Sequence, residues 1–217
     1  MKSIPITCLG DYVKRVTSEE GTGRMFRGHP SDAFDLIPVA GRYKTQVRTL
    51  KTKQIADEKY LLNRFRREGA HLLPSGLSDW ELLFVARHHG LPTRILDWSR
   101  NPMVALYFAV ESRSKGTAVV FSEDYLPSVD TTKATDPFAV SKVRRVIPPH
   151  MTHRISAQDS LFTIHPDPTA AYTSKTLIRY TISTNLKGVL KAQIRQLGFH
   201  EASLFGDLDS IAQKIAF

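Results

Sequence analysis

The stretch Ala86-Arg87-His88-His89-Gly90-Leu91-Pro92-Thr93-Arg94-Ile95-Leu96-Asp97-Trp98-Ser99 crowds two histidines, two arginines, a carboxylate and two hydroxyls around one turn and one short extended segment. A connection that only joined a helix to a strand would need few of these groups. Guanidinium groups hold phosphate oxygens in pairs, and histidine moves protons near neutral pH. In an extended chain Thr93, Ile95 and Asp97 share one face, while Arg94, Leu96 and Trp98 take the other. The Thr93/Asp97 face is therefore the expected polar wall of a site. A plainer reading has Asp97 capping the next helix and Arg94 pairing with a carboxylate, which accounts for two residues of the cluster but not for the rest.

Two other chemistries fit poorly. Adjacent His88 and His89 on a helix point about a quarter turn apart, unlike the i,i+4 pair of a zinc protease, and no second cluster completes a coordination sphere. No metal is expected. No Gly-x-Ser-x-Gly elbow is present for a serine hydrolase.

Local signals predict the elements that must carry these groups. Leu9 to Val16 reads as a short helix, and Arg24 to Gly28 as a strand. Lys53 to Leu73 has near-helical apolar spacing at Ile55, Leu62, Phe65 and Leu72. Ser78 or Asp79 caps a helix through Trp80 and Ala86 that Gly90 closes. Leu91 to Trp98 reads as extended. Ser99 or Asn101 caps a helix whose first turn holds Pro102 and whose buried stretch is Met103 to Val110. Gly116 to Phe121 has the unbroken apolar look of a central strand, and Ser122 to Arg154 reads as loop with short strands. Ile155 to Ile164 and Thr176 to Ser183 read as strands, Leu186 to Leu197 and Asp207 to Ile215 as helices. No strand runs into a Gly-rich phosphate loop, which disfavours Rossmann and P-loop folds.

Composition sets the bounds. The 217 residues are 41% hydrophobic and 24% charged, ordinary for a folded domain, and the interleaved helices and strands predict one mixed α+β domain. The single cysteine, Cys8, permits no internal disulfide, and the N-terminus has no signal-like apolar run. No stretch reaches the roughly 18 apolar residues of a membrane span. A cytoplasmic protein without membrane contact is expected. The net charge of +9 favours acidic partners, nucleic acid foremost; basic segments run from Arg42 to Lys53 and from Lys142 to Arg145.

Phe26-Arg27-Gly28, the long run from His88 to Ser99 with Asn101-Pro102 and Ala105 to Ala109, Arg154-Ile155 with Gln158 and Leu161-Phe162, and Gly198 to Phe205 with Asp207 to Asp209 occur in this order. Together they resemble the FRG domain family, as a single domain over 1–217 with family blocks spanning about 24–211. Two positions depart from the family pattern: Ala86-Arg87 stands where a glutamine is usual before the histidine pair, and Gly206 where a proline is usual. The first is expected to alter a ligand contact, the second only to loosen a turn.

A further resemblance is to mono-ADP-ribosyltransferases of the Arg-Ser-Glu type. It implies an α+β fold with a mixed, split β-sheet flanked by helices, and NAD as substrate. Phe26-Arg27-Gly28 is similar to their first motif. Thr93 to Ser99 with Ala105 and Phe108 is similar to the second, and Glu201 stands in for the third. On this resemblance Arg27 meets the pyrophosphate and Thr93 or Ser99 the nicotinamide ribose. Phe26, Gly28, Arg94 and Gln158 join the NAD site, and His88 or His89 touches a phosphate or assists proton transfer. Glu201, with Asp97 in reserve, stabilises the positive charge that develops on the ribose. Each residue also has a structural reading: a buried ion pair for Arg27, a helix cap for Glu201. The implied activity is an NAD-dependent ADP-ribosyltransferase acting on RNA, DNA or protein, in the manner of a toxin or phage-defence effector with an antitoxin partner. The alternatives are a non-catalytic nucleic-acid- or nucleotide-binding module and an NAD glycohydrolase.

Overall fold

The computed structural model describes residues 1–18, 23–42, 57–112, 114, 116–149 and 152–216. One mixed sheet of seven strands organises them: β1 (Lys2–Pro5), β2 (Arg24–His29), β3 (Ile95–Ser99), β4 (Ala118–Asp124), β5 (Arg144–Val146), β6 (Ser160–Ile164) and β7 (Ile178–Ile182). Their spatial order is β1-β7-β4-β2-β3-β6-β5. β1 runs parallel to β7, and the remaining pairs are antiparallel. The expected mixed sheet flanked by helices is present.

The sheet is nearly severed between β2 and β3. β2 pairs with β4 along all six of its residues, yet meets β3 at a single register point, Phe26 opposite Ser99. Beyond that point the two strands diverge. The Asp97 carbonyl finds its donor in the Arg27 side chain, Nη1 at 2.5 Å, so a guanidinium satisfies a backbone group that buried chain cannot leave bare.

Helices are α1 (Leu9–Thr17), α2 (Glu58–Glu68), α3 (Asp79–His88), α4 (Pro102–Val110), α5 (His153–Ala157), α6 (Thr184–Gln196), α7 (Glu201–Phe205) and α8 (Leu208–Ala216). α3 opens with a full capping box, Ser78 and Glu81 each satisfying the other's backbone N–H. α4 starts at Pro102 behind an Asn101 cap. Its sequence is apolar all round, so it must be buried on every side. It packs against β2 and α6, in a cluster with Phe26, Tyr180, Leu190 and Ile194. Gly28 is what admits it. A Cβ there would drive into the Ala105 carbonyl oxygen and lie 2.6 Å from the Ala109 nitrogen.

Two further clusters complete the core. Leu62, Trp80, Leu83 and Phe84 pack on β6 and Ile95, while Met25, Leu36, Trp98 and Phe121 join Leu161 and Leu177. At roughly 1.5–3 kcal/mol per buried large apolar side chain, these contacts hold the two leaves of the sheet in place.

Four expectations need correction. Ile155 to Ile164 is not one strand: His153–Ala157 is helical behind a Thr152 cap, and β6 begins at Ser160. β1 was not anticipated; its residues are mostly exposed and gain order from pairing with β7. The helix expected from Lys53 runs from Glu58 to Glu68; its residues up to 56, like all of the basic segment after Arg42 up to Lys53, lie outside the described residues. Gly206 is no loosened turn. It caps α7 at φ 65°, a left-handed conformation closed to proline.

Candidate functional site

Where β2 and β3 diverge, a cleft of about 550 Å³ opens, within the range of nucleotide-sized ligand sites. Its cationic side is built by four arginines from four places: Arg27 on β2, Arg42, Arg87 on the last turn of α3, and Arg154 on α5. Phe84, Phe108, Ile155 and Phe162 supply apolar lining.

Asp97 is the only carboxylate lining the cleft among the described residues. Its Oδ2 takes Arg87 Nη2 at 2.5 Å and Arg27 Nη1 at 3.5 Å. Its Oδ1 makes no hydrogen bond among the described residues, and the side chain is 41% exposed, so a ligand can reach it. Desolvation pushes this carboxyl up, but the combined pull of Arg87 and Arg27 is stronger and leaves its pKa below the ordinary value. It is ionised at neutral pH.

Arg27 is 15% exposed. Desolvation draws its pKa down to about 10, against the pull of Asp97 and with added repulsion from Arg87 and Arg42. It stays charged at neutral pH. Arg42 and Arg154 are lowered for the same first reason, desolvation. Four crowded guanidinium groups against one carboxylate leave an excess of positive charge in a partly dry space, which a phosphorylated ligand relieves. The Arg154 guanidinium carbon sits over the Phe205 ring, 4.6 Å from its centroid, so the end of α7 helps hold it in place.

Of the residues read from sequence, Phe26, Arg27, Gly28, His88, Asp97, Ser99 and Gln158 line this cleft. His88 is neutral, its pKa lowered by desolvation, then by Arg154 and His89. Ser99 donates to the Gln158 carbonyl at 2.7 Å and accepts from the Asn101 N–H. Gln158 donates to the Leu204 carbonyl. Both therefore brace the cleft floor as well as face it.

Four do not come to it. Glu201 is the first residue of α7 behind a His200 cap; its field is felt by Tyr107, and it does not line the cleft. Nor does it cap a helix, as the alternative reading had it: His200 and Ser203 form the capping box, and Glu201 is already helical. His89 ends α3 and leans on Phe65. Arg94 is bound to the buried Glu58 through Nε and its own N–H, at 2.9 and 2.6 Å. Thr93 precedes β3, is fully buried, and receives the Ala40 N–H on its carbonyl. The extended run assumed from Leu91 begins only at Ile95, so strand alternation does not carry Thr93 to the Asp97 face.

Sequence reasoning did not select His29, Arg42, Arg87 or Arg154 as site residues. For His29 a signal existed: it follows Arg27 by two along a strand and so shares its face. Arg87 carried a signal as the departure from the usual glutamine. Arg42 and Arg154 reach the cleft only through the tertiary fold. Among the described residues no group of three metal-ligating side chains stands together, and no helix is long and apolar enough to cross a membrane.

The FRG domain family matches residues 23–118. This chain carries an FRG domain. The match includes β2, α3, β3 and α4, the elements that supply Arg27, Arg87, Asp97 and Phe108. It ends at Ala118, so α5, β6 and α7 lie beyond it. No curated protein and no solved structure matches the chain.

Proposed function

We propose that the cleft binds NAD and that this FRG protein transfers the ADP-ribose part to an acidic acceptor, RNA or DNA. One observation carries the reading. The strand with Phe26-Arg27-Gly28 and the strand ending in Ser99 meet at Phe26 opposite Ser99, and Ala105 and Phe108 of the following helix wall the cleft beside them. These are the parts expected from the first two transferase motifs, side by side on an arginine-rich cleft.

When bound, NAD supplies a ribose–nicotinamide bond that breaks with positive charge growing on the sugar. Arg27 and Arg87 hold the pyrophosphate, with Arg154 also lining the cleft. Asp97 faces the developing charge through its open Oδ1, the role first given to Glu201. Phe84, Phe108 and Phe162 keep water from the reacting bond. Neutral His88 takes the acceptor's proton on a ring nitrogen. The net charge of +9 favours a nucleic-acid acceptor.

A second reading is a nucleotide-binding module without turnover. It is favoured by Asp97 being engaged by two arginines, with no second carboxylate lining the cleft among the described residues. Nicotinamide release from NAD, followed by chromatography, separates the two. Arg27→Ala and Asp97→Asn should each cut release by roughly 100-fold or more, a loss typical of a single charge-stabilising group. Asp97→Asn should still bind NAD in calorimetry, because it removes a negative charge from the anion's site. Binding without release in the wild type leaves only the module, and absence of binding refutes both. Transfer of adenylate label to RNA or DNA rather than water distinguishes transferase from glycohydrolase.

A further inference from the structure

Arg27 is held on two sides. Its Nη1 is tied to Asp97, and its Nε donates to His29 Nε2 at 2.9 Å. A guanidinium has five N–H donors in a rigid plane, so fixing Nε and Nη1 fixes the whole plane. Nη2 makes no hydrogen bond among the described residues, although Arg27 lines the cleft.

The imidazole is itself locked. Its Nδ1 donates to the Phe34 carbonyl at 3.0 Å, which leaves Nε2 as the acceptor for Arg27. The ring stands edge-on to Phe121 and Phe34, at centroid distances of 5.2 and 6.4 Å, and is 7% exposed. It cannot swing away without leaving the core. A carboxylate in this place would also accept from Nε, but it would cancel the charge that an anion needs. Histidine accepts and stays neutral: burial, with Arg27 next, keeps its pKa near 3.

We infer that His29 is a positioning residue, a locked neutral acceptor that aims Arg27 Nη2 at the anionic group of the bound ligand. This rests on the cleft being an anion site, whether or not the anion is NAD. The neighbouring charges that act on it are Arg27 and Arg42; among the described residues no carboxylate is bonded to the ring.

The test uses inorganic pyrophosphate with the full chain, and calorimetry as the readout. His29→Ala should weaken pyrophosphate about tenfold, since a hydrogen bond to a charged group is worth roughly that factor or more. His29→Gln, whose Oε1 can reach the place of Nε2, should recover most of the loss. In Arg27→Ala, the added His29→Ala change should cost nothing further, because the two act through one contact. The bond also has a direct signature in the wild type: a 15N–15N coupling across the hydrogen bond from Arg27 Nε to His29 Nε2, which needs no ligand and no variant that folds. Undiminished pyrophosphate binding in His29→Ala, additive losses in the double variant, or a His29 ring charged at pH 7 would each overturn the inference alone. Pyrophosphate binding that follows the pattern above while NAD fails to bind supports the inference and removes the NAD reading. Failure of the wild type to bind pyrophosphate overturns both.

Discussion

Acidification protonates His29 and His165 readily in the unfolded chain and poorly in the fold. They are 7% and 1% exposed, and desolvation, with Arg27 adding to it, takes them from 6.5 to about 3 and about 4. A histidine whose folded pKa is lowered contributes stability that is whole above its unfolded value. That stability is lost as pH falls toward the folded value, because the unfolded state binds the extra proton. Each such group costs about 1.4 kcal/mol per pH unit in that window. Two of them cost about 5 kcal/mol between roughly pH 6.5 and 4.5, much of the 5–15 kcal/mol that usually holds a domain together. The carboxyls held below their ordinary value do not share this window. Asp97 and Asp136 have lowered values, so their contributions persist until pH falls below the ordinary 3.8 and vanish only then. Urea unfolding, read from the buried Trp80 and Trp98 at pH 7, 6 and 5, should show the loss directly. His165→Gln, whose amide can hydrogen-bond the Thr163 hydroxyl 2.9 Å from the ring in either direction, should cut the pH slope by about half, one titrating group of two. A stability that changes by under about 1 kcal/mol from pH 7 to 5, or a slope untouched by that substitution, refutes the reasoning.

Two further outcomes test the architecture. Gly28→Ala should lower stability by about 3 kcal/mol or more, since the new methyl meets the α4 backbone at Ala105 and Ala109; chemical denaturation measures it, and a loss under about 0.5 kcal/mol would show that α4 has room to retreat. Gly206→Pro, which restores the residue usual in the family, should destabilise this chain by roughly 2 kcal/mol, because φ 65° is outside proline's range and the Gly206 N–H to Ala202 bond is lost. A rise in melting temperature would contradict it.

The elements legible in the sequence were those with local chemistry. Each helix start was narrowed to two caps, Ser78 or Asp79 and Ser99 or Asn101, and the fold uses Ser78 and Asn101. The His153–Ala157 helix was divided between loop and strand at Ile155, because five residues are too short to show a helical period, although Thr152 was a usable cap signal. β1 carries almost no apolar pattern; only the β7 edge defines it. The candidate site divided in the same way. Arg27, His88, Asp97 and Ser99 were found because two short segments contain them. Arg42 and Arg154 lie far from those segments in sequence, and only the closing of the sheet brings them near Asp97. Glu201 was chosen for its order along the chain, which says nothing about which end of a five-residue helix faces the cleft.

The single rung between Phe26 and Ser99 makes the sheet a book with one stitch in its spine. Among the described residues no other main-chain ladder joins the β1-β7-β4-β2 leaf to the β3-β6-β5 leaf, so side-chain packing of Met25 and Phe121 on Trp98 and Leu161 sets their separation. How widely they stand apart sets the breadth of molecule admitted. An anion gripped by Arg27 from one leaf and Arg87 beside the other would act as a clasp, so occupancy and sheet rigidity should rise together.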